Sequence, residues 1–349
     1  MRFKLLGKTG LRVSELCLGA MTFGNDHSTW GSSIEDSERV FRAYLDAGGN
    51  FIDSANMYQG GRSEELLGEF MGAERQRCVV ATKFTLGAVP GDPNSSGNQR
   101  KSMIHSLEKS LKRLKTDYID LLWMHAWDQM TPQDEVLRAL DDLISSGKIL
   151  YTGISDTPAW VVARSQAIAE LRGWTSFAAL QLPYSLIERS AERELLPMAE
   201  ACGLSVTAWG GLGNGLLSGK YASKADQPGR LNDPIFAATL NDANSEVARE
   251  VIRVADAHGA SASQVALAWV RSRSPFLIPI IGARTEAQLQ ENLKCIDVML
   301  TEADCVALTC AKHFDLGFPT TFLASAGMEN LIYGDSLPHI DVLMPSRRV

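Results

Sequence analysis

The sequence predicts an α/β fold in which eight parallel strands close into a barrel and each strand is followed by a helix. Short apolar runs alternate with segments of helical periodicity along most of the 349 residues. The loops are mainly short, and no Pro- or Ser-rich linker or shift of composition divides the chain. These observations favour one domain, 1–349, with the architecture of a (β/α)8 TIM barrel. A doubly wound open sheet is the alternative fold.

The predicted elements follow one another in a regular order. Residues 1–18 contain two short strand-like runs around the turn Gly7-Lys8-Thr9-Gly10, which predicts an N-terminal β-hairpin. The later strands are predicted at 51–53, 78–82, 118–124, 149–154, 177–180, 204–209 and 276–281. Helices are predicted at 33–48, 63–71, 100–115, 131–146, from 157, and at 190–201, 244–271 and 285–295. Pro132 at the start of one predicted helix and Gly147 just past its end are typical of helix termini.

The last part of the chain differs from the repeat. The barrel core is expected at about 3–300, with a helix and a tail at 301–349. From about 312 the tail is rich in Gly, Pro and aromatic residues and lacks periodicity. Phe314, Phe318, Phe322 and Leu323 suggest that it packs on the barrel, and we expect it to lie over the barrel mouth.

Composition limits the function classes. The net charge is -7 without clustered Lys or Arg, which argues against nucleic acid as the main partner. No apolar run is long enough to cross a membrane, and the N-terminus does not resemble a signal peptide. The six cysteines form no CxxC pair and the histidines show no metal-ligand spacing. We therefore expect a cytoplasmic protein without metal, monomeric or homo-oligomeric, that acts on a small molecule.

Polar residues follow the predicted strands. In barrels of this kind the active site forms at the C-terminal ends of the strands. The residues at those ends are Asp53, Lys83, His125, Ser155, Gln181, Trp209 and Gly282. Each alone has a structural alternative, such as a helix cap for Asp53, a surface lysine for Lys83 or a core histidine for His125. Together they would be costly to bury without a purpose, because desolvated charges and amides need partners.

Four of the polar residues suit proton transfer. A tyrosine such as Tyr58 has a pKa of about 10 and exchanges protons poorly near neutral pH. An ammonium such as Lys83 would lower that pKa, Asp53 would hold the lysine, and His125 would orient a carbonyl oxygen. This set suits proton transfer coupled to hydride transfer.

Two segments suit phosphate groups. Residues 209–217, Trp-Gly-Gly-Leu-Gly-Asn-Gly-Leu-Leu, match neither the Rossmann nor the Walker pattern, and a flexible loop is the alternative. A glycine-rich loop after strand seven of a barrel is nonetheless a recurrent phosphate site. After strand eight, Arg284 precedes a helix start, where the dipole favours an anion.

These motifs together resemble the aldo-keto reductase family, over about residues 3–300. The resemblance rests on 51–58 (FIDSANMY), 82–84 (TKF), 117–125 (DYIDLLWMH), 153–155 (GIS), 181–185 (QLPYS), 215–221 (GLLSGKY) and 281–284 (IGAR) with Gln288 and Asn292. The segments HAWD at 125–128 and SDTPAW at 155–160 are similar to the bacterial and fungal aryl-alcohol dehydrogenase-like subgroup.

The resemblance implies a function and a set of roles. The protein would reduce aldehydes or ketones with NADPH, with a catalytic tetrad of Asp53, Tyr58, Lys83 and His125 and with Tyr58 as general acid. Ser155, Asp156 and Gln181 would hold the nicotinamide carboxamide, and Tyr184 would stack on the ring. The loop 209–219 would cover the pyrophosphate; the residues implied there, with the lysine that follows, are Trp209, Gly210, Gly211, Leu212, Gly213, Gly215, Leu217, Gly219 and Lys220.

The far end of the cofactor and the substrate pocket are assigned in the same way. Arg284, beside Gly282, would meet the 2′-phosphate, with Gln288 and Asn292 near the adenine. That arginine, with no acidic residue beside it, favours NADPH over NADH. The expected substrate pocket, suited to an aromatic or bulky apolar carbonyl, comprises Trp30, Met57, Phe84, Ala126, Trp127 and part of the tail.

Two departures from the family pattern and two alternative functions stand beside this prediction. Asp156 replaces a common Asn, and Gly210-Gly211 replaces a common Ser-Pro. A nucleotide-binding regulatory subunit, as in the potassium-channel β subunits, would keep the same site without turnover. A barrel lyase or isomerase would use the Lys83 amine to form a Schiff base.

Overall fold

The predicted closed barrel is confirmed in the computed structural model, which describes residues 1–25, 31–221, 231, 233, 234 and 236–340. Eight parallel strands pair in the order β10-β3-β4-β5-β6-β7-β8-β9 and close on themselves. The strands are β1 Phe3–Leu5, β2 Arg12–Ser14, β3 Cys17–Gly19, β4 Phe51–Asp53, β5 Val79–Phe84, β6 Ile119–Met124, β7 Ile149–Ser155, β8 Ala179–Pro183, β9 Ser205–Trp209 and β10 Leu277–Ile281.

The N-terminal hairpin is also confirmed, as the antiparallel pair β1 and β2. It places Leu6 and Val13 in the barrel interior against Phe51 and Ile278. The first barrel strand, Cys17–Gly19, is a separate element that follows the hairpin. The sequence pattern merged it into the hairpin region 1–18, because three apolar residues are too few to show a period.

Helices cover the outside of the barrel. They are α1 Ile34–Asp46, α2 Arg62–Met71, α3 Arg100–Leu114, α4 Gln133–Ser145, α5 Ala159–Arg172, α6 Leu195–Cys202, α7 Asp242–His258, α8 Ala262–Ser272, α9 Glu286–Leu293, α10 Glu302–Cys310, α11 Thr320–Leu323 and α12 Ala326–Tyr333. None of the helices in the described part of the chain has both the length and the apolar character needed to cross a membrane.

The single helical region expected at 244–271 is two helices, α7 and α8. Gly259 ends α7 in the left-handed region, at φ 61°. Ser261 then begins α8 with a capping box, in which its side chain and that of Gln264 each accept the other's backbone N–H. The apolar residues keep helical spacing through both helices, so the sequence pattern does not show this break.

Alternate residues of each strand face opposite sides of the barrel wall. On β5 and β6, Val79, Ala81, Leu121 and Trp123 pack in the barrel interior. The residues between them in sequence, such as Val80 and Leu122, point outward and pack against the helices. The alternation continues to the C-terminal ends of the strands. Lys83 and His125, two residues after Ala81 and Trp123, therefore also point inward and lie at the barrel mouth.

The tail begins beside the loop that follows β8. Phe314 lies under the guanidinium groups of Arg189 and Arg193, 5.0 and 4.9 Å from its ring centre. Farther on, Phe318, Phe322 and Leu323 are exposed, and the two phenylalanines contact each other. Within residues 312–340 the tail contributes no side chain to the wall of the cleft at the barrel mouth. Phe314 therefore packs as expected, whereas the described tail does not line the pocket.

Candidate active site

A buried lysine lies at the centre of the barrel mouth. Lys83 ends its inward-facing series on β5 and is fully buried. Its ammonium donates to Asp53 Oδ2 on β4, to the Ser54 carbonyl at 2.7 Å and to the Tyr58 hydroxyl at 3.0 Å. All three N–H groups are therefore used. The opposite oxygen of Asp53 accepts the amide of Gln181 at 3.0 Å, so the carboxylate is held from both sides.

His125, at the end of β6, lies on the other side of Tyr58. The two rings meet edge to face with centres 6.0 Å apart. Burial, and then the charge of Lys83, lower the pKa of His125 to about 3. The imidazole is therefore neutral at physiological pH and keeps one N–H to donate. Its buried Nδ1 has no hydrogen-bond partner among the described residues.

Burial and the neighbouring charges together determine the protonation state of Tyr58. Burial raises the pKa of Tyr58, the ammonium of Lys83 opposes the rise, and the charges of Asp53 and Asp156 add to it. The expected lowering by lysine is thus present, but burial outweighs it and the net shift is upward. Burial alone would lower the pKa of Lys83, yet Asp53 and Tyr58 together raise it. Tyr58 is therefore a neutral phenol and Lys83 a charged ammonium group.

A cleft of about 630 Å³ opens above these residues. Asp53, Tyr58, His125, Ser155 and Gln181 form part of its wall. The Ser155 hydroxyl is buried and has no hydrogen-bond partner among the described residues. Such an atom is costly to leave unpaired, which is consistent with a ligand group completing its bonding.

The cleft extends between two segments with cationic side chains. On one side the loop after β9 contributes Lys220, and on the other Arg284 precedes α9. The ion pairs of the described residues include neither of these two side chains. The described residues also contain no cluster of His, Cys, Asp or Glu suited to a metal ion. A cleft that is lined by polar residues and has two cationic side chains outside these ion pairs fits a phosphorylated cofactor.

The comparisons with known proteins agree with this geometry. The sequence profile of the Aldo/keto reductase family matches residues 15–311. The chain belongs to the aldo/keto reductase family. It is 37% identical to a norsolorinic acid reductase of Aspergillus flavus, over 91% of this chain and 83% of that protein. It is 36% identical to an aryl-alcohol dehydrogenase of Pestalotiopsis microspora over 100% and 93%, and 35% identical to an aryl-alcohol dehydrogenase [NADP(+)] of Phanerodontia chrysosporium over 93% and 89%.

One assignment to the cofactor of this aldo/keto reductase is wrong. Tyr184 has 0% exposure and stacks on Trp269 with ring centres 5.5 Å apart. Its hydroxyl donates to Glu192 at 2.6 Å. It cannot reach a ring in the cleft. Trp209, by contrast, lies in the cleft wall at the end of β9 and is 39% exposed.

Three of the residues predicted in the glycine-rich segment also lie away from the cleft wall. Leu217 is buried in the core beneath the loop, while Gly213 and Gly219 take left-handed backbone conformations. At Gly213 a Cβ would lie 2.6 Å from Ile187 Cδ1, so this glycine permits close packing. The predicted residues that do line the cleft are Ser155, Asp156, Gln181, Trp209, Gly210, Gly211, Leu212, Gly215, Lys220, Gly282, Arg284, Gln288 and Asn292.

The predicted substrate pocket needs more correction. Met57 lines the cleft and is 42% exposed. Phe84 follows inward-facing Lys83, so it points outward into the helix layer and is fully buried. Ala126 and Trp127 are absent from the cleft wall, and Trp127 packs edge to face on Trp160. Trp30 lies outside the described residues.

Several residues of the cleft wall were not predicted from the sequence. Gly19 ends the unrecognised strand β3, and Met21 and Thr22 follow it. Glu291 is on α9, three residues from Gln288, a spacing that places both on one helix face. An acid therefore does line the cleft region assigned to the adenosine end. The others are Leu86, Asn214, Ser218, Phe236, Ser263, Leu267, Ile280, Ile281 and Ala283.

Proposed function

We propose that the protein is an NADPH-dependent reductase of aromatic or bulky apolar aldehydes and ketones. The observation that carries the proposal is the contact of a neutral Tyr58 phenol with the Lys83 ammonium, beside a neutral imidazole, at the wall of a cleft of about 630 Å³. Membership of the aldo/keto reductase family and the names of its aryl-alcohol relatives support the reaction class.

The side chains divide the work of carbonyl reduction. When bound, a reduced nicotinamide supplies a hydride to the carbonyl carbon. His125 donates a hydrogen bond that orients the carbonyl oxygen, and Tyr58 gives its proton to that oxygen as negative charge develops. Lys83, fixed by Asp53, stabilises the phenolate that remains. A new proton then returns to Tyr58 before the next cycle.

The residues of the cleft divide the cofactor between them. Ser155, Asp156 and Gln181 line the cleft and would hold the carboxamide, and Trp209 would stack on the ring in place of Tyr184. The loop after β9 and Lys220 would bind the pyrophosphate, and Arg284 would bind the 2′-phosphate. Met57, Met21 and Leu86 give the substrate end an apolar wall.

Lys83 is poorly suited to the Schiff-base alternative. Its raised pKa keeps it protonated, and each of its N–H groups already donates to a partner. A Schiff base needs a neutral amine with a free lone pair.

Steady-state oxidation of NADPH with 4-nitrobenzaldehyde tests the proposal. We expect turnover, measured as loss of absorbance at the wavelength of reduced nicotinamide. Tight NADPH binding without turnover across a panel of aromatic and aliphatic carbonyls would instead favour a regulatory nucleotide-binding role.

The choice between NADPH and NADH has a matched pair of variants. Arg284→Met should weaken NADPH binding about tenfold or more and leave NADH binding nearly unchanged, because it removes one charge-assisted contact to a 2′-phosphate. Lys220→Met should weaken both cofactors alike, since the pyrophosphate is common to them. Titration of intrinsic fluorescence gives the four dissociation constants. An equal loss for both cofactors in Arg284→Met would contradict its assignment.

Asp156→Asn should shift the pH dependence of reduction. The charge of Asp156 raises the pKa of Tyr58, so removing that charge lowers this pKa. Reduction needs the protonated phenol and is lost as pH rises through the pKa of Tyr58. The alkaline limb of kcat should therefore move to lower pH, while Asp53, Lys83 and His125 keep their contacts. A pH profile of kcat at saturating cofactor measures the shift; an unchanged or higher limb would contradict it.

A further inference from the structure

The turn that carries Tyr58 has a strained backbone. Gln59, Gly60 and Gly61 are successive residues in the left-handed region, with φ of 49°, 66° and 100°. Gln59 is not a glycine, so its conformation persists only where the surroundings hold it. Tyr58 is thus placed by a turn that needs external support.

Gln59 itself donates to the Met21 carbonyl at 3.2 Å, and further support comes from an ion pair outside the catalytic groups. Glu64, on the first turn of α2, is fully buried, and its Oε2 accepts Arg113 Nε of α3 at 2.6 Å. Arg113 Nη2 also donates to the Asn56 carbonyl at 3.4 Å, just before Tyr58. On the other side of the turn, a Cβ at Gly61 would lie 3.1 Å from Arg113 Cδ. The arginine therefore contacts one end of the tyrosine turn and lies close to the other.

The same pair reaches the strand that carries the lysine. The second oxygen of Glu64 accepts the Thr82 hydroxyl at 2.5 Å. Thr82 directly precedes Lys83 on β5, and the Lys83 carbonyl accepts the backbone N–H of Asn56 at 3.2 Å. Gly68 lets α2 lie directly on α3, since a Cβ there would be 2.5 Å from the Arg113 carbonyl. A continuous set of contacts thus joins Thr82, Glu64 and Arg113 to the turn.

We infer that the Arg113–Glu64 pair, with Thr82, positions the Tyr58 hydroxyl on the Lys83 ammonium. The inference rests on the proposed function, because it gives these three positioning residues a task in proton donation by Tyr58. They touch neither the cleft nor a cofactor: none of them is in the cleft wall formed by the described residues. Their expected effect is on the chemical step, with binding preserved.

A second partly buried arginine provides a matched control. Arg75 pairs with Asp120 at 2.8 Å and donates to the carbonyls of Cys78 and Tyr118, at the N-terminal end of β5 and β6. It is as enclosed as Arg113 but lies at the opposite end of the barrel from Tyr58. Arg113→Lys and Arg75→Lys both keep the charge and lose the forked geometry.

Kinetics of these variants test the inference. Arg113→Lys should lower kcat about tenfold or more, since small displacements of a catalytic group are costly, with KM and the NADPH dissociation constant within about twofold. The primary isotope effect on kcat with 4-deuterated NADPH should increase, because chemistry becomes slower than release. Thr82→Val, a small change that keeps the fold, should act in the same direction. Arg75→Lys should leave kcat unchanged even where the melting temperature falls.

Two results would overturn the inference. One is wild-type kcat and isotope effect in both Arg113→Lys and Thr82→Val. The other is an equal loss of kcat in Arg113→Lys and Arg75→Lys, which indicates general weakening of the fold.

A readout without turnover separates this inference from the proposed function. Ultraviolet titration, corrected with Tyr58→Phe, reports the Tyr58 phenol, which faces Lys83, Asp53, His125 and Asp156. Loss of contact with Lys83 in Arg113→Lys should raise its pKa, and no shift relative to wild type would count against positioning. An inactive wild-type protein would refute the proposed reductase alone.

Discussion

Tyr58→Phe should lower kcat for carbonyl reduction by about 10²–10⁴-fold and leave NADPH binding nearly unchanged. The change removes one hydroxyl, which accepts from Lys83 at 3.0 Å. The ring can keep its edge contact with His125, and Lys83 keeps Asp53 and the Ser54 carbonyl as partners. The expected decrease in kcat therefore results from the loss of the proton donor. Steady-state kinetics and fluorescence titration with NADPH measure the two quantities.

Tyr184→Phe is the matched control for this prediction. It removes another buried hydroxyl, the one that donates to Glu192 at 2.6 Å outside the cleft. We expect a lower melting temperature and wild-type kcat. If Tyr58→Phe retained most of its turnover while Tyr184→Phe lost it, the assignment of the proton donor would be wrong.

Most of the candidate active site is predictable because strand ends are visible in the sequence. Each strand shows as an apolar run, and the polar residue that ends it is read directly. Asp53, Lys83, His125, Ser155 and Gln181 are predicted in this way. In the structure four of them line one cleft, and Lys83 is buried beneath it in contact with Asp53. The closed barrel makes distant strands converge, which no local pattern needs to encode.

The pocket wall was less predictable because it depends on side-chain direction. Phe84 lies next to Lys83 in sequence, yet neighbours on a strand face opposite sides, so one of them had to point away. Applying that rule would have excluded Phe84. Tyr184 lies beyond the end of β8, where the rule no longer applies. Its burial against Trp269 depends on helix packing that the sequence does not reveal.

Removing the lysine should affect both activity and stability. Lys83→Met leaves the buried Asp53 carboxylate without a counter-ion, and among the side chains of the described residues it keeps the Gln181 amide as its hydrogen-bond donor. Breaking a buried ion pair from one side costs about 3–5 kcal/mol. The variant should therefore lose most of its turnover and also unfold at a lower denaturant concentration.

The double variant Asp53→Asn with Lys83→Met separates these two effects. It removes both charges, so no uncompensated carboxylate remains, and part of the lost stability should return. Turnover should not return, because Tyr58 still lacks the ammonium that stabilises its phenolate. Chemical denaturation and kcat, measured on the two single variants and the double variant, give the coupling energy for each property. Recovery of turnover together with stability would mean that Lys83 and Asp53 serve only the fold, and that the phenol of Tyr58 works without them.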